Sequence, residues 1–138
     1  MPALRTFLDS GVLIAAAVGR DALRRRALAV IENPDPYFYY SPFVPLEVLP
    51  KAVYNGRDDE AEFYRTFFEQ ATCFGDLDRI YEIARIEAPR SGLAAMDALH
   101  VAAAHLAKCE QFVTTEKPQK PLFRTRLVEV VPLNRLRE

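Results

Sequence analysis

The sequence predicts an α/β fold, a three-layer α/β/α sandwich in which helices cover both faces of a central parallel sheet of four to five strands. Two patterns and one size argument carry that expectation. Strand-like segments alternate with helical ones along the chain, and no neighbouring pair of strands is joined by a hairpin turn, so each connection must cross a face of the sheet. With 138 residues, half of them apolar, the chain can bury one core and is too short for two ordinary domains, so residues 1–138 are expected to form one domain.

The first strand is read over Leu4 to Leu8, after which Asp9, Ser10 and Gly11 turn the chain into a small-residue helix, VLIAAAV. A second helix fits Asp21 to Glu32, with Asp21 favouring its N-terminus and Leu23, Ala27, Val30 and Ile31 on one side; Asn33 to Pro36 ends it. Tyr37 to Ser41 is rich in β-formers and bounded by prolines, which makes it strand two. The helix entered through Pro42 and Pro45 is expected to kink, or to split into short segments, across Val44 to Tyr54, because Pro50 lacks a backbone donor. Asn55 and Gly56 break the chain before a helix over Asp58 to Gln70, with Phe63, Phe67 and Phe68 inward, and a brief third strand over Ala71 to Phe74. A helix from Asp76 to Glu87 leads to a turn at Pro89 to Gly92, where Ser91 is expected to cap the alanine-rich helix Leu93 to Lys108. Gln111 to Thr115 and Leu127 to Val131 supply strands four and five around a Lys/Pro-rich loop, and the basic end LNRLRE is expected to fray.

A net charge of −1 does not by itself favour nucleic acid, whose binders are usually strongly basic. The basic residues do cluster, however: Arg20, Arg24, Arg25 and Arg26 early, and Lys117, Lys120, Arg124, Arg126, Arg135 and Arg137 late, on either side of the acidic run Asp58 to Glu62. Taken singly, each cluster reads first as a solvated helix face. Asp9 interrupts the apolar opening segment, which fits neither a signal peptide nor a membrane span, and a cytoplasmic location is expected. Cys73 and Cys109 lack metal or redox spacing and are expected to be buried, reduced thiols.

In parallel sheets ligands bind beyond the carboxyl ends of the strands, where strand order reverses. Asp9 ends strand one and Glu116 follows strand four, so both belong on that edge, and Glu47 follows strand two closely. Asp97 sits among Leu93, Ala94, Ala95, Met96, Ala98 and Leu99, an apolar setting that argues against a merely solvated acid, although the element order alone does not bring it to the same edge. Like-charged carboxylates about 5 Å apart repel by roughly 3 kcal/mol per pair at an effective dielectric near 20, so such a group takes up protons or a cation. Oxygen donors without a His/Cys cluster suit Mg²⁺ or Mn²⁺, and the chemistry implied is phosphodiester hydrolysis by water. The chain carries no G-x-x-x-x-G-K-[ST], G-x-G-x-x-G or G-x-S-x-G motif, which argues against triphosphatase, dinucleotide and hydrolase-elbow chemistry.

Four segments, FLDSGVLIAAA, SPFVPLEVLPKA, GLAAMDALHVAAAHLAK and FVTTEKPQ, resemble in order and separation the four acidic motifs of the PIN-domain family, over nearly the whole chain. Compact members of that family are most often VapC-like toxins of type II toxin-antitoxin modules. The resemblance implies a PIN-like sandwich, Mg²⁺-dependent (or Mn²⁺-dependent) RNA cleavage, homodimerisation and an antitoxin partner. Carried over by position, it makes Asp9, Glu47, Asp97 and Glu116 the catalytic carboxylates, with Asp9, Asp97 and Glu116 as metal ligands and Ser10 and Thr114 as nearby hydroxyls. It also brings the start of the Asp97 helix into the pocket. Arg24, Arg25, Arg26, Lys117 and Lys120 become the candidate RNA contacts. The fourth acid is typically Asp in the family and is Glu116 here, followed by a proline-rich loop, which motivates one alternative, an inert PIN scaffold acting as an interaction protein; another keeps the site and drops the toxin role, a stand-alone RNA-processing nuclease without an antitoxin.

Simpler roles stand beside these. Asp9 suits a helix N-cap, Glu47 and Glu116 suit exposed surface acids, and Ser10 and Thr114 suit turn and cap duties. His100, one helical turn past Asp97, is expected to make a structural hydrogen bond towards that region. Phe63, Tyr64, Phe67 and Phe68 are expected in the core.

Overall fold

The computed structural model describes residues 4–135. Its strands, β1 (Arg5–Leu8), β2 (Tyr37–Tyr40), β3 (Thr72–Cys73), β4 (Gln111–Thr114) and β5 (Glu129–Pro132), form one parallel sheet in the order β3-β2-β1-β4-β5. The helices are α1 (Ser10–Val18), α2 (Asp21–Glu32), α3 (Phe43–Tyr54), α4 (Asp58–Gln70), α5 (Leu77–Ser91) and α6 (Ala95–Leu106). Among the described residues no helix is long and apolar enough to cross a membrane.

A strand covered on both faces is mostly apolar where it is buried, and β1 supplies Phe7 and Leu8, both fully buried. Phe7 pairs in register with Phe112 of β4, and their rings stack at 5.3 Å. Thr6, also fully buried, is satisfied by hydrogen bonds with Gln111 and the Leu4 carbonyl. On this central strand the chain reverses its direction of growth: β2 and β3 are added on one side, β4 and β5 on the other. The carboxyl ends of β1 and β4 therefore flank a crevice.

The prolines end neither helix: α3 is not split at Pro50, and α5 continues through Pro89 to Ser91, where the sequence predicts a turn. Both prolines lie on exposed helix faces, where the carbonyl that loses its partner can turn to water instead. The stop comes instead at Gly92, whose left-handed φ of 70° closes α5 as a C-cap. Ser91 consequently belongs to α5 and caps nothing; α6 begins at Ala95 behind Ala94, which offers no side-chain cap. Glu87, only 2% exposed, accepts hydrogen bonds at Oε2 from Ser91 Oγ and Thr125 Oγ1, each at 2.7 Å. That carboxylate fastens the end of α5 to the segment preceding β5.

Other expectations are corrected by burial. Leu23 of α2 is 46% exposed, leaving Ala27 as the buried anchor of that helix. Tyr64 and Phe67 are the buried aromatics of α4, with Phe63 and Phe68 only half-buried. Cys73 is exposed on the two-residue edge strand, whereas Cys109 is buried and its thiol is pushed up to about 12 by desolvation; both are free. Leu133 to Arg135 do not fray but form a short 3₁₀ turn with Leu133 buried. The rest of the basic end, including Arg137, lies outside the described residues.

Candidate active site

The first acid is built into the turn from β1 to α1. Asp9 Oδ1 caps α1 by accepting from Ser10 N at 2.8 Å, and its Oδ2 accepts from Thr114 Oγ1 of β4 at 2.8 Å. The cap reading of Asp9 holds, and the same carboxylate reaches across to β4. The Asp9 amide donates to Val113 O at 2.9 Å, continuing the β1–β4 ladder by one bond into the crevice. The approach is close: a Cβ on Gly11 would stand 2.5 Å from Thr115 Oγ1, so only glycine lets α1 begin this near to β4. Thr114, fully buried, also accepts from the Glu116 amide at 3.1 Å and so fixes the direction in which the chain leaves β4.

Glu47 projects from α3, with its side chain 32% exposed. Its Oε1 receives the Ser10 hydroxyl and lies 2.5 Å from His100 Nε2. Asp97 is in the first turn of α6, which must begin at the carboxyl edge because it leads down into β4. The helix hairpin of α5 and α6 supplies the reversal that the element order left open. Asp97 is half-buried, and its carboxyl is raised by desolvation and then by the charge of Asp9, with Glu116 and Glu47 adding and His100 opposing. Burial likewise raises Asp9, against the pull of His100, Thr114 and the Ser10 amide. Glu47 is held below the ordinary range for a glutamate, chiefly by the hydrogen bond from His100. Asp97 thus lies in the field of Asp9, Glu116 and Glu47, and Asp9 in that of Glu47, with Asp9 and Asp97 disfavoured as anions and Glu47 favoured.

Among the described residues no three or more His, Cys, Asp or Glu side chains are grouped so as to hold a metal ion. The donor set nevertheless fits a hard cation. Mg²⁺ is commonly held by one or two carboxylates, keeps several waters and draws further oxygens from substrate phosphate. Asp9, Asp97 and Glu116 offer such oxygens, and the raised carboxyls of Asp9 and Asp97 are what a nearby positive charge would relieve.

The basic candidates separate. Lys117 and Lys120 are exposed in the loop that follows Glu116. Arg24 instead turns its Nε to Ala16 O at 3.3 Å, at the end of α1 away from Asp9, and Arg25 and Arg26 follow it on the exposed face of α2. A cavity of about 700 Å³ lies at that far end, lined by Arg24, Leu28, Arg57 and Phe63 among others, and contains none of the four acids. Sequence reasoning missed Glu87 and Thr125. The i, i+4 spacing of Glu87 and Ser91 was the available signal, but nothing local pointed to Thr125, 38 positions from Glu87.

The sequence profile of the PIN domain matches residues 6–120. No curated protein matches the chain in sequence. Among solved structures, a toxin-antitoxin complex from Klebsiella pneumoniae superposes with a TM-score of 0.70 at 21% identity, over 93% of this chain and 97% of that one. VapBC2 from Rickettsia felis, bound to a DNA fragment from the promoter, gives 0.70 at 13% identity over 94% and 98%. FitAcB from Neisseria gonorrhoeae gives 0.67 at 20% identity over 95% and 99%. At these identities the likeness is one of fold.

Proposed function

The chain belongs to the PIN-domain family, and from that membership we propose that it is a divalent-metal-dependent endoribonuclease, the toxin of a type II toxin-antitoxin pair. The observation that carries the proposal is the hydrogen-bonded placement of Asp9 on Thr114 and Ser10, and of Glu47 on Ser10 and His100, beside the β1–β4 crevice, with Asp97 near enough to feel their charge. In this reading Asp9, Asp97 and Glu116 hold Mg²⁺ or Mn²⁺. When bound, the cation supplies positive charge that polarises the phosphodiester and offsets the charge developing on its oxygens. Thr114 and the Ser10 amide keep Asp9 in one orientation, so that its carboxylate need not reorganise when substrate arrives. Glu47, favoured as an anion, accepts a hydrogen bond from the attacking water and orients it. The water oxygen bonds to phosphorus, the bond from phosphorus to the leaving ribose oxygen breaks, the water proton passes by way of the Glu47 carboxylate to solvent, and the leaving oxygen takes up a proton from solvent. Lys117 and Lys120 meet backbone phosphates beside the cut.

The toxin role and the antitoxin partner are supported by the likeness to the toxin-antitoxin complex from Klebsiella pneumoniae, and a homodimer is part of the same reading. The nuclease is tested by incubating purified protein with a pool of structured and single-stranded RNA in Mg²⁺, Mn²⁺ or EDTA, beside Asp97→Asn. Cutting that needs the metal and is lost in the variant is the expected result. A folded wild-type protein that cuts nothing with either metal overturns it and leaves the inert scaffold.

A further inference from the structure

His100 lies on α6, 1% exposed, with its ring 5.8 Å from that of Phe7 and with Val101, Ala102, Ala103 and Ala104 buried after it. Its Nδ1 is buried without a hydrogen-bond partner. An unpaired polar atom in such a place costs free energy that a leucine of similar size would not incur. Packing therefore does not account for an imidazole here, and the bond made by the other ring nitrogen does. An ionised carboxylate only accepts, so Nε2–H donates to Glu47 Oε1, the atom that also takes the Ser10 hydroxyl. Two donors on one oxygen, from α1 and α6, fix a side chain that α3 alone would leave free to turn. Oε2 has no protein hydrogen bond among the described residues.

We propose that His100 is a positioning residue for Glu47: Nε2–H and the Ser10 hydroxyl clamp Oε1, leaving Oε2 as the oxygen free to act in the pocket shared with Asp9 and Asp97. The kinetic consequence rests on the nuclease reading above; the clamp itself does not. Loss of such a supporting bond typically lowers activity on the order of 10- to 100-fold.

The test compares full-length wild-type protein with His100→Leu, which keeps the volume and removes the donor, and His100→Gln, which returns an N–H near the position of Nε2. The Leu variant is expected to lose kcat by that factor with KM little changed and with a Tm at or above that of wild type, and the Gln variant to recover most of the rate. Independently of activity, nuclear magnetic resonance of the metal-free wild type is expected to show a downfield imidazole Nε2–H proton that vanishes in Glu47→Ala. A Leu variant with wild-type kcat, or a proton signal indifferent to Glu47, overturns the clamp. Wild-type protein that cuts no RNA but shows the Glu47-dependent proton refutes the nuclease and supports the clamp. If His100→Leu fails to fold, the proton signal decides alone.

Discussion

Asp97 and Asp9 are carboxyls that the folded chain holds above their ordinary range, and this makes stability depend on pH in a definite direction. Between the unfolded and the raised folded pKa the native state carries more protons than the unfolded chain, so stability is lost as pH rises through that window. Glu47 is lowered and contributes the opposite way: its share is present above the unfolded pKa and lost as pH falls through the folded one. Asp97→Asn removes a desolvated carboxyl and the charge it sets against Asp9, and in divalent-free buffer at pH 7 its Tm should exceed that of wild type by a few degrees while RNA cleavage disappears. The gain should shrink as pH falls below the ordinary Asp range, where the wild-type carboxyl is protonated in both states. Thermal melts from pH 4 to pH 8 check this, and a variant less stable than wild type at neutral pH contradicts it. Asp97 was legible in the sequence because an acid surrounded by apolar helix residues is conspicuous; Asp9 was legible because a strand runs straight into it. The bond between His100 and Glu47 was not, since it joins residues 53 positions apart on helices whose meeting no local pattern announces.

Helices and turns position those side chains, and two of the joints are brittle. Gly11→Ala would drive a methyl into Thr115 Oγ1 and force α1 away from β4, at a cost of roughly 1–3 kcal/mol for overpacking. Urea denaturation should report that loss, and cleavage should fall with it because Asp9 moves with the helix it caps. Thr125→Val keeps the shape and withdraws one of the two hydroxyls from the buried Glu87 carboxylate, which should destabilise by about 1–3 kcal/mol. An unchanged urea midpoint would mean that Glu87 has found another donor. Element order and type could be read from the sequence since strand and helix periodicities alternate cleanly. Helix ends could not: Pro50 and Pro89 each remove a backbone donor yet end neither helix, and the exposure that lets an orphaned carbonyl meet water is a property of the assembled fold.

For the molecule as a whole, charge placement divides the basic residues into those beside the acids and those at the other end of α1. Replacing Lys117 and Lys120 by alanine should weaken RNA binding and reduce the slope of log affinity against log salt by about 0.7 for each single-strand phosphate no longer neutralised. Arg25→Ala and Arg26→Ala should leave that slope unchanged, which binding titrations across salt concentrations would show. The sheet order carries a last implication, for the timing of synthesis. Thr114 reaches back 105 positions to Asp9, and β4 inserts beside a strand made long before it. A nascent chain can pair β1 with β2 early, but one edge of β1, with Phe7 and Leu8, stays open until β4 has been translated. The crevice is therefore a late part of the fold to assemble: a polypeptide cut short before β4 lacks the crevice altogether, and what it exposes is a sticky apolar strand for chaperones and proteases to find.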